Sequence, residues 1–110
     1  VAKYKILQSA KLYRDLAIAV PEEPQNRVVA ASAADELLNI SGVDASIVVA
    51  PDGNGGSFAS ARSIGELNVQ LIMEKVGGGG NRSAAAAQFA GTDVNTAVKR
   101  IYAAIDDYLG

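Results

Sequence analysis

The chain has 110 residues, of which 49% are hydrophobic, and its 10 Lys and Arg against 12 Asp and Glu give a net charge of −2 and a pI near 5.0. This length suits one domain with one hydrophobic core. Cysteine and histidine are both absent, which excludes disulfides, Cys–His zinc clusters and Ser–His–Asp or Cys–His nucleophiles among these residues. The acidic balance argues against a broad DNA-binding surface but is compatible with a local cationic pocket.

No apolar run approaches the roughly 18 residues that a membrane-spanning helix needs, and no basic-then-apolar signal peptide begins the sequence. Because the first residue is Val1, we expect the chain to be a piece of a longer protein. Catalytic groups of that parent protein would then lie outside this sequence.

The N-terminal segment predicts a helix followed by a strand. The spacing of four apolar residues predicts a helix over residues 1–14. These residues are Ile6, Ala10, Tyr13 and Ala17. The apolar run Leu16–Val20, closed by Pro21, predicts a buried strand. We interpret residues 1–15 as a helix or linker from an upstream domain and residues 16–110 as the domain itself.

A second helix and a hairpin follow. Apolar spacing predicts a helix over residues 25–40, with Gly42 as its left-handed cap. Ala45–Ala50 and Ser57–Ser63 predict two strands, which the turn-forming residues 51–56 join as an antiparallel hairpin. Alternation in the second strand places three residues on one face and three on the other: Phe58, Ser60 and Arg62 against Ala59, Ala61 and Ser63.

The second half predicts two more helices with a strand between them. Residues 69–76 have the clearest helical spacing in the chain, with Asn68 as the N-cap and the glycine run Gly77–Gly80 as the stop. Propensity favours a helix for Ala84–Phe89, but we interpret it as a strand, since small residues fit where another backbone approaches closely. Thr92 or Asp93 caps a final amphipathic helix. This order predicts a single small α/β domain with a mixed sheet of about four strands covered by helices.

Four consecutive glycines, Gly77–Gly80, exceed what a helix stop requires. Each glycine costs backbone entropy, so the run indicates that something approaches the main chain closely, and successive N–H groups can bind an anion. The run follows a helix C-terminus, so phosphate binding there needs a cation, for which Arg82 and Arg62 are candidates. The alternatives are a flexible linker and a solvated edge arginine.

Paired carboxylates for metal or acid–base chemistry are not evident. Glu22 and Glu23 precede a helix, and Asp106 and Asp107 lie near the chain end. We therefore predict no catalytic residue and no metal ligand within this chain.

Three segments together carry a family resemblance: Ser60–Ser63 (SARS), Asn68–Glu74 (NVQLIME) and Gly77–Gln88 (GGGGNRSAAAAQ). In this order they resemble the C-terminal DHH-associated domain of DHH-superfamily phosphoesterases, most closely that of the bacterial membrane-anchored cyclic-di-AMP phosphodiesterases. The likeness extends from about Leu16 to Leu109.

The resemblance implies that residues 16–110 are the substrate-binding part of a manganese-dependent phosphodiesterase that hydrolyses cyclic-di-AMP. The manganese ligands would belong to an upstream DHH domain of the same chain, and the isolated fragment would be inactive. Arg62 and Ser63 would contact phosphate or ribose, and the glycine run would let the backbone approach the nucleotide. The substrate-binding set that we predict is Arg62, Ser63, Gly78, Gly79, Gly80, Asn81 and Arg82.

One position departs from the family pattern. The glycine run normally ends in histidine, and Asn81 stands there instead. A carboxamide donates only as a neutral group, so its contact with a phosphate should be weaker than that of an imidazolium.

Two other functions stay open. One is a nucleic-acid-binding module like that of alanyl-tRNA synthetase or a short-RNA exonuclease, although the acidic balance disfavours tRNA. The other is an interaction domain in which the glycine run is only structural. The expected partners are a cyclic dinucleotide or short oligonucleotide, the upstream DHH domain and a second copy in a homodimer. We expect a cytoplasmic domain without membrane contact, whose parent is anchored in the cell membrane.

Overall fold

The computed structural model describes residues 2–110, so the predicted helix start at Val1 lies outside the described residues. Along the chain the elements are α1 (Ala2–Gln8), β1 (Lys11–Tyr13), β2 (Leu16–Ala19), α2 (Arg27–Leu37), β3 (Ala45–Pro51), β4 (Ser57–Ser63), α3 (Val69–Glu74), β5 (Gly79–Asn81), β6 (Ala84–Phe89) and α4 (Val94–Leu109). None of the helices in this range has the length and apolar character that a membrane span requires.

The strands form one mixed sheet in the order β1-β2-β3-β4-β6-β5, in which β2 and β3 are parallel and the other neighbours are antiparallel. This confirms the predicted α/β class with helices on a mixed sheet. The sheet has six strands, whereas the sequence predicted about four. The two additional strands, β1 and β5, have three residues each, which is too short for an alternation pattern to be recognised.

Helices cover both faces of the sheet. Ile6 of α1 and the apolar face of α2 pack with Phe58 on one face, and α3 and α4 pack on the other with Met73 and Ile101. The inner strands β2 and β3 are therefore buried on both sides, as their largely hydrophobic runs predicted. Buried Ser46 in β3 donates a hydrogen bond to the Ala34 carbonyl of α2 at 2.6 Å, which satisfies its hydroxyl.

The hairpin, the strand at the alanine run and two helix caps were correctly predicted. β3 and β4 pair antiparallel along their whole length. The Asn68 side chain accepts the N–H of Gln70 at 3.0 Å, and Asp93 accepts that of Thr96 at 3.4 Å. The alanine run is strand β6, because it pairs with β4 on one side and β5 on the other. Strand pairing on both sides thus overrides the helix propensity of alanine.

The prediction of a helix through residue 14 was wrong beyond Gln8. Residues 11–13 instead form β1, because Arg14 and Asp15 adopt φ values of 49° and 72° and reverse the chain into β2. Ile6 and Tyr13, which the helical pattern placed on one face, pack on opposite faces of the sheet. The predicted boundary at residue 15 stays a prediction.

The second helix is also shorter than predicted. α2 begins at Arg27, because the Asn26 side chain accepts the N–H of Val29 at 2.8 Å, and it ends at Leu37 rather than residue 40. Gly42 has the expected positive φ of 86° but lies in the turn before β3, and Leu38 is the helix C-cap.

The glycine run is partly a strand and not a loop. A Cβ on Gly78 would lie 2.1 Å from the Ala86 carbonyl oxygen, and one on Gly80, at φ +146°, would lie 2.5 Å from that of Ala84. The close approach that the glycines indicated therefore includes the neighbouring strand β6. Gly79 differs, since a Cβ there would meet nothing within 4 Å.

Alanine substitutions separate these two roles. We predict that G78A lowers the free energy of unfolding by about 3 kcal/mol, because β6 blocks its methyl group. The free energy of unfolding of G79A should stay within about 1 kcal/mol of that of the unsubstituted chain. Urea unfolding followed by circular dichroism measures both, and equal destabilisation by G78A and G79A would contradict the packing.

Candidate functional site

An open cleft of about 340 Å³ lies between α2 and the sheet where β4, β6 and β5 adjoin. Its nine lining residues are Arg27, Ala31, Ser60, Arg62, Gly79, Gly80, Ala84, Ala85 and Ala86. In this part of the described chain, two arginines and no Asp or Glu line the cleft, and the Asp35 carboxylate beside Arg62 offsets part of their charge. The structure thus brings Arg62 together with Gly79 and Gly80, three of the residues predicted from the sequence.

Arg62 is fixed by contacts to a strand and a helix. Its Nε lies 3.1 Å from Asp35 Oδ1 of α2, and its Nη1 donates to the Ala61 carbonyl at 2.8 Å and to Ser60 Oγ at 3.4 Å. The side chain is 21% exposed. Its Nη2 makes no hydrogen bond to any residue from 2 to 110, so its N–H groups are available to an anionic ligand.

Gly79 supplies an unobstructed stretch of backbone at the cleft. β5 is the edge strand of the sheet, so one side of its main chain has no strand partner. Because a Cβ at Gly79 would meet no protein atom within 4 Å, internal packing does not explain the choice of glycine there. A ligand that contacts the main chain at this position would explain it.

The other predicted site residues do not line the cleft, and each has a structural contact instead. Ser63 is buried on the opposite face of β4 from Arg62, and its Oγ donates to the Leu67 carbonyl at 2.6 Å. Arg82 donates from Nη2 to the Glu66 carbonyl at 3.2 Å. Asn81 Oδ1 accepts the N–H groups of Ser83 at 3.0 Å and Ala84 at 2.9 Å, which stabilises the β5–β6 turn. Gly78 is half-buried against β6.

Arg27 is a cleft residue that sequence reasoning missed. It is the first residue of α2, and its guanidinium lies 5.0 Å from the centre of the Phe58 ring. Its Nη2 donates to Gln88 Oε1. No local pattern distinguishes this arginine from a solvated residue at a helix start, and only the crossing of α2 over β4 places it opposite Arg62.

Gln88 and Asp52 form the polar contacts next to Arg27. Gln88 Nε2 donates to Asp52 Oδ2 at 3.0 Å and to the Ser57 carbonyl at 3.2 Å, so its Oε1 is directed at Arg27. Main-chain donation from Asn54, aided by Gly56 and Gln88, lowers the pKa of Asp52. The carboxylate is therefore ionised, and an acceptor only, at neutral pH.

A larger cavity, of about 550 Å³, lies elsewhere, between α1 and residues 20–25. Lys5 and Glu23 in its lining face each other at 3.8 Å, and it contains none of the predicted site residues. Nor do the described residues fit a metal pair, since no three Asp or Glu side chains from 2 to 110 come close enough together to hold an ion.

Comparison with known families matches residues 14–109 to the DHHA1 domain. The cyclic-di-AMP phosphodiesterase GdpP of Bacillus subtilis (strain 168) is 42% identical over 114 residues, which are 98% of this chain and 17% of that protein. The cyclic-di-AMP phosphodiesterase PdeA of Listeria monocytogenes serotype 1/2a is 44% identical over 109 residues, 94% and 16% of the two chains. The sequence in hand thus spans about a sixth of the length of these relatives.

Solved structures share the fold. An exopolyphosphatase-related protein from Bacteroides fragilis superposes with a TM-score of 0.80 at 24% identity, over 96% of this chain and 33% of that one. A pGpG-specific phosphodiesterase, PggH, from Vibrio cholerae gives 0.64 at 20% identity, over 96% and 38%. At these identities the likeness concerns the fold alone.

Two serines on opposite faces of β4 test the contacts of this strand. We predict that S63A lowers the free energy of unfolding by about 1 kcal/mol, through loss of the hydrogen bond to the Leu67 carbonyl. S60A should lower it by less, because Ser60 Oγ has only the longer contact with Arg62 at 3.4 Å. Urea unfolding followed by circular dichroism measures both, and a larger loss in S60A would contradict these contacts.

Proposed function

This chain belongs to the DHHA1 domain family, and we propose that it is the nucleotide-binding part of a phosphodiesterase that hydrolyses cyclic-di-AMP. The two relatives that carry this activity in their names match nearly the whole chain at 42% and 44% identity. Because the match spans only about a sixth of each relative, the proposal assigns bond cleavage to residues of the parent protein beyond this chain.

The observation that carries the proposal is the pairing of Arg62 with the open backbone at Gly79 in one cleft. A fixed guanidinium with a nitrogen still available binds a phosphate oxygen with a charge-assisted hydrogen bond. The exposed main chain at Gly79 adds contact without a side chain in the way. Together these groups can hold a phosphodiester in one orientation.

In this proposal the chain contributes binding and orientation to the reaction. Asp35 forms an ion pair with Arg62 Nε. The guanidinium is therefore oriented before the ligand binds, and less side-chain entropy is lost on binding. The phosphodiester would then be presented to an upstream DHH domain of the same parent chain, whose manganese ions would activate the attacking water. The parent, anchored in the cell membrane, would place this domain on the cytoplasmic side.

Substitution of Arg62 tests the proposal directly. We expect R62K to lower affinity for cyclic-di-AMP by about tenfold and R62A by about tenfold to a hundredfold, because a lysine cannot reproduce the planar fork and alanine removes the charge. Calorimetric titration of the 110-residue chain gives the affinities, and thermal unfolding checks that both variants fold.

Three results would each contradict a different part of the proposal. Affinity unchanged in folded R62A would refute this site. Hydrolysis of cyclic-di-AMP by the chain alone, in buffer with manganese, would refute the assignment of cleavage to another domain. Tight, steeply salt-dependent binding of tRNA, with no binding of cyclic-di-AMP, would favour a nucleic-acid-binding module instead.

A further inference from the structure

We propose that Arg27 is a second anion anchor at the other end of the cleft, so that the cleft selects ligands with two phosphates over ligands with one. This inference rests on the proposed function and adds to it a residue that determines specificity. Arg27 belongs neither to the family motifs nor to the glycine run. The contacts of α2 with β4 and β6 support its role.

Arg27 is accessible from the cleft. It is exposed and lines the cleft together with Arg62. It also lines an adjoining cavity of about 440 Å³ beside Asp52 and Asn54. Its guanidinium therefore stands where the two cavities meet, and a ligand can approach it from the side of Arg62.

The Arg27 side chain is also held in place. The Phe58 ring supports the guanidinium at 5.0 Å, and Gln88 accepts one of its N–H groups. Gln88 is in turn fixed by Asp52 at 3.0 Å. A solvated arginine at a helix start has no such support, and a long side chain oriented in advance loses less entropy when it binds an anion.

The spacing of the two arginines suits two separate anionic groups. Arg27 and Asp35, which contacts Arg62, are eight residues apart on α2, or about 12 Å along the helix axis. Phe58 under Arg27 and Arg62 are four residues apart on β4, or about 13 Å. These are spacings of the backbone positions, and Arg62 Nη1 reaches back to Ser60 Oγ at 3.4 Å, so the two guanidinium groups lie closer together than the backbone positions. While each guanidinium keeps its own partners, it presents a separate position for an anionic group along the cleft.

Small residues, including Ser60 of β4, line the cleft between the two arginines. Ala31, Ala84 and Ala86 line this stretch. Small side chains leave room for a planar group, while the arginines lie at its ends. A dinucleotide, cyclic or linear, carries two phosphates joined by nucleosides, so it can engage both ends at once. A mononucleotide occupies one end only.

A neutral substitution that keeps the packing tests this reading. We expect R27M to weaken cyclic-di-AMP and the linear dinucleotide pApA by about tenfold, because one charge-assisted contact is lost, and to leave AMP within about twofold. R62A should weaken all three. R100M is the matched control, since Arg100 lies over Phe89 at the same 5.0 Å but belongs to α4, outside the cleft.

Titration calorimetry of the four proteins with the three nucleotides separates the outcomes. If the unsubstituted 110-residue chain binds none of the three nucleotides, the proposed function fails. If it binds cyclic-di-AMP through Arg62, but R27M behaves like R100M or loses AMP and dinucleotide affinity equally, only the role of Arg27 fails. Should R27M not fold by thermal unfolding, R27K serves instead, with a smaller loss expected for dinucleotides alone.

Discussion

The packing of α2 across β4 is the constraint on which the rest of the structure depends. This crossing places Asp35 against Arg62 and Arg27 over Phe58, so one helix fixes both arginines on the same face of the sheet. Buried alanines of α2 allow the close approach, as Ala30, Ala33 and Ala34 have no exposed surface. The packing of a helix on a sheet thus brings the two arginines of the cleft together, and overall composition does not reveal this arrangement.

The glycine run combines structural and functional demands. Gly78 and Gly80 are required by β6, whose carbonyl groups leave no space for a methyl group, whereas Gly79 faces open space at the cleft. Asn81, at the position where the family resemblance implies a histidine, uses its Oδ1 to close the β5–β6 turn. Its predicted weaker contact with phosphate stays a prediction, and in our proposal Arg62 and Arg27 supply the positive charge.

Much of the fold could be predicted because its signals are local. Helix caps at Asn68 and Asp93 and the alternation of β4 depend on neighbours in sequence, and these predictions were confirmed. The short edge strands β1 and β5 were missed, because three residues hold too little pattern and the first depends on left-handed Arg14 and Asp15. The site is harder to predict: alternation placed Arg62 and Ser63 on opposite faces, yet only tertiary packing shows which face meets α2 and adds Arg27.

The central claim is that cyclic-di-AMP binds between α2 and β5, on the face of Arg62. Titration of the ¹⁵N-labelled chain with cyclic-di-AMP, followed by NMR of amide and arginine Nε signals, tests it most directly. We expect saturable shifts concentrated at Gly79, Gly80 and the side chains of Arg27 and Arg62, with the amides of α4 on the opposite face of the sheet unaffected. Shifts concentrated at Arg82, Ser63 and α4, with Arg62 unchanged, would contradict this account.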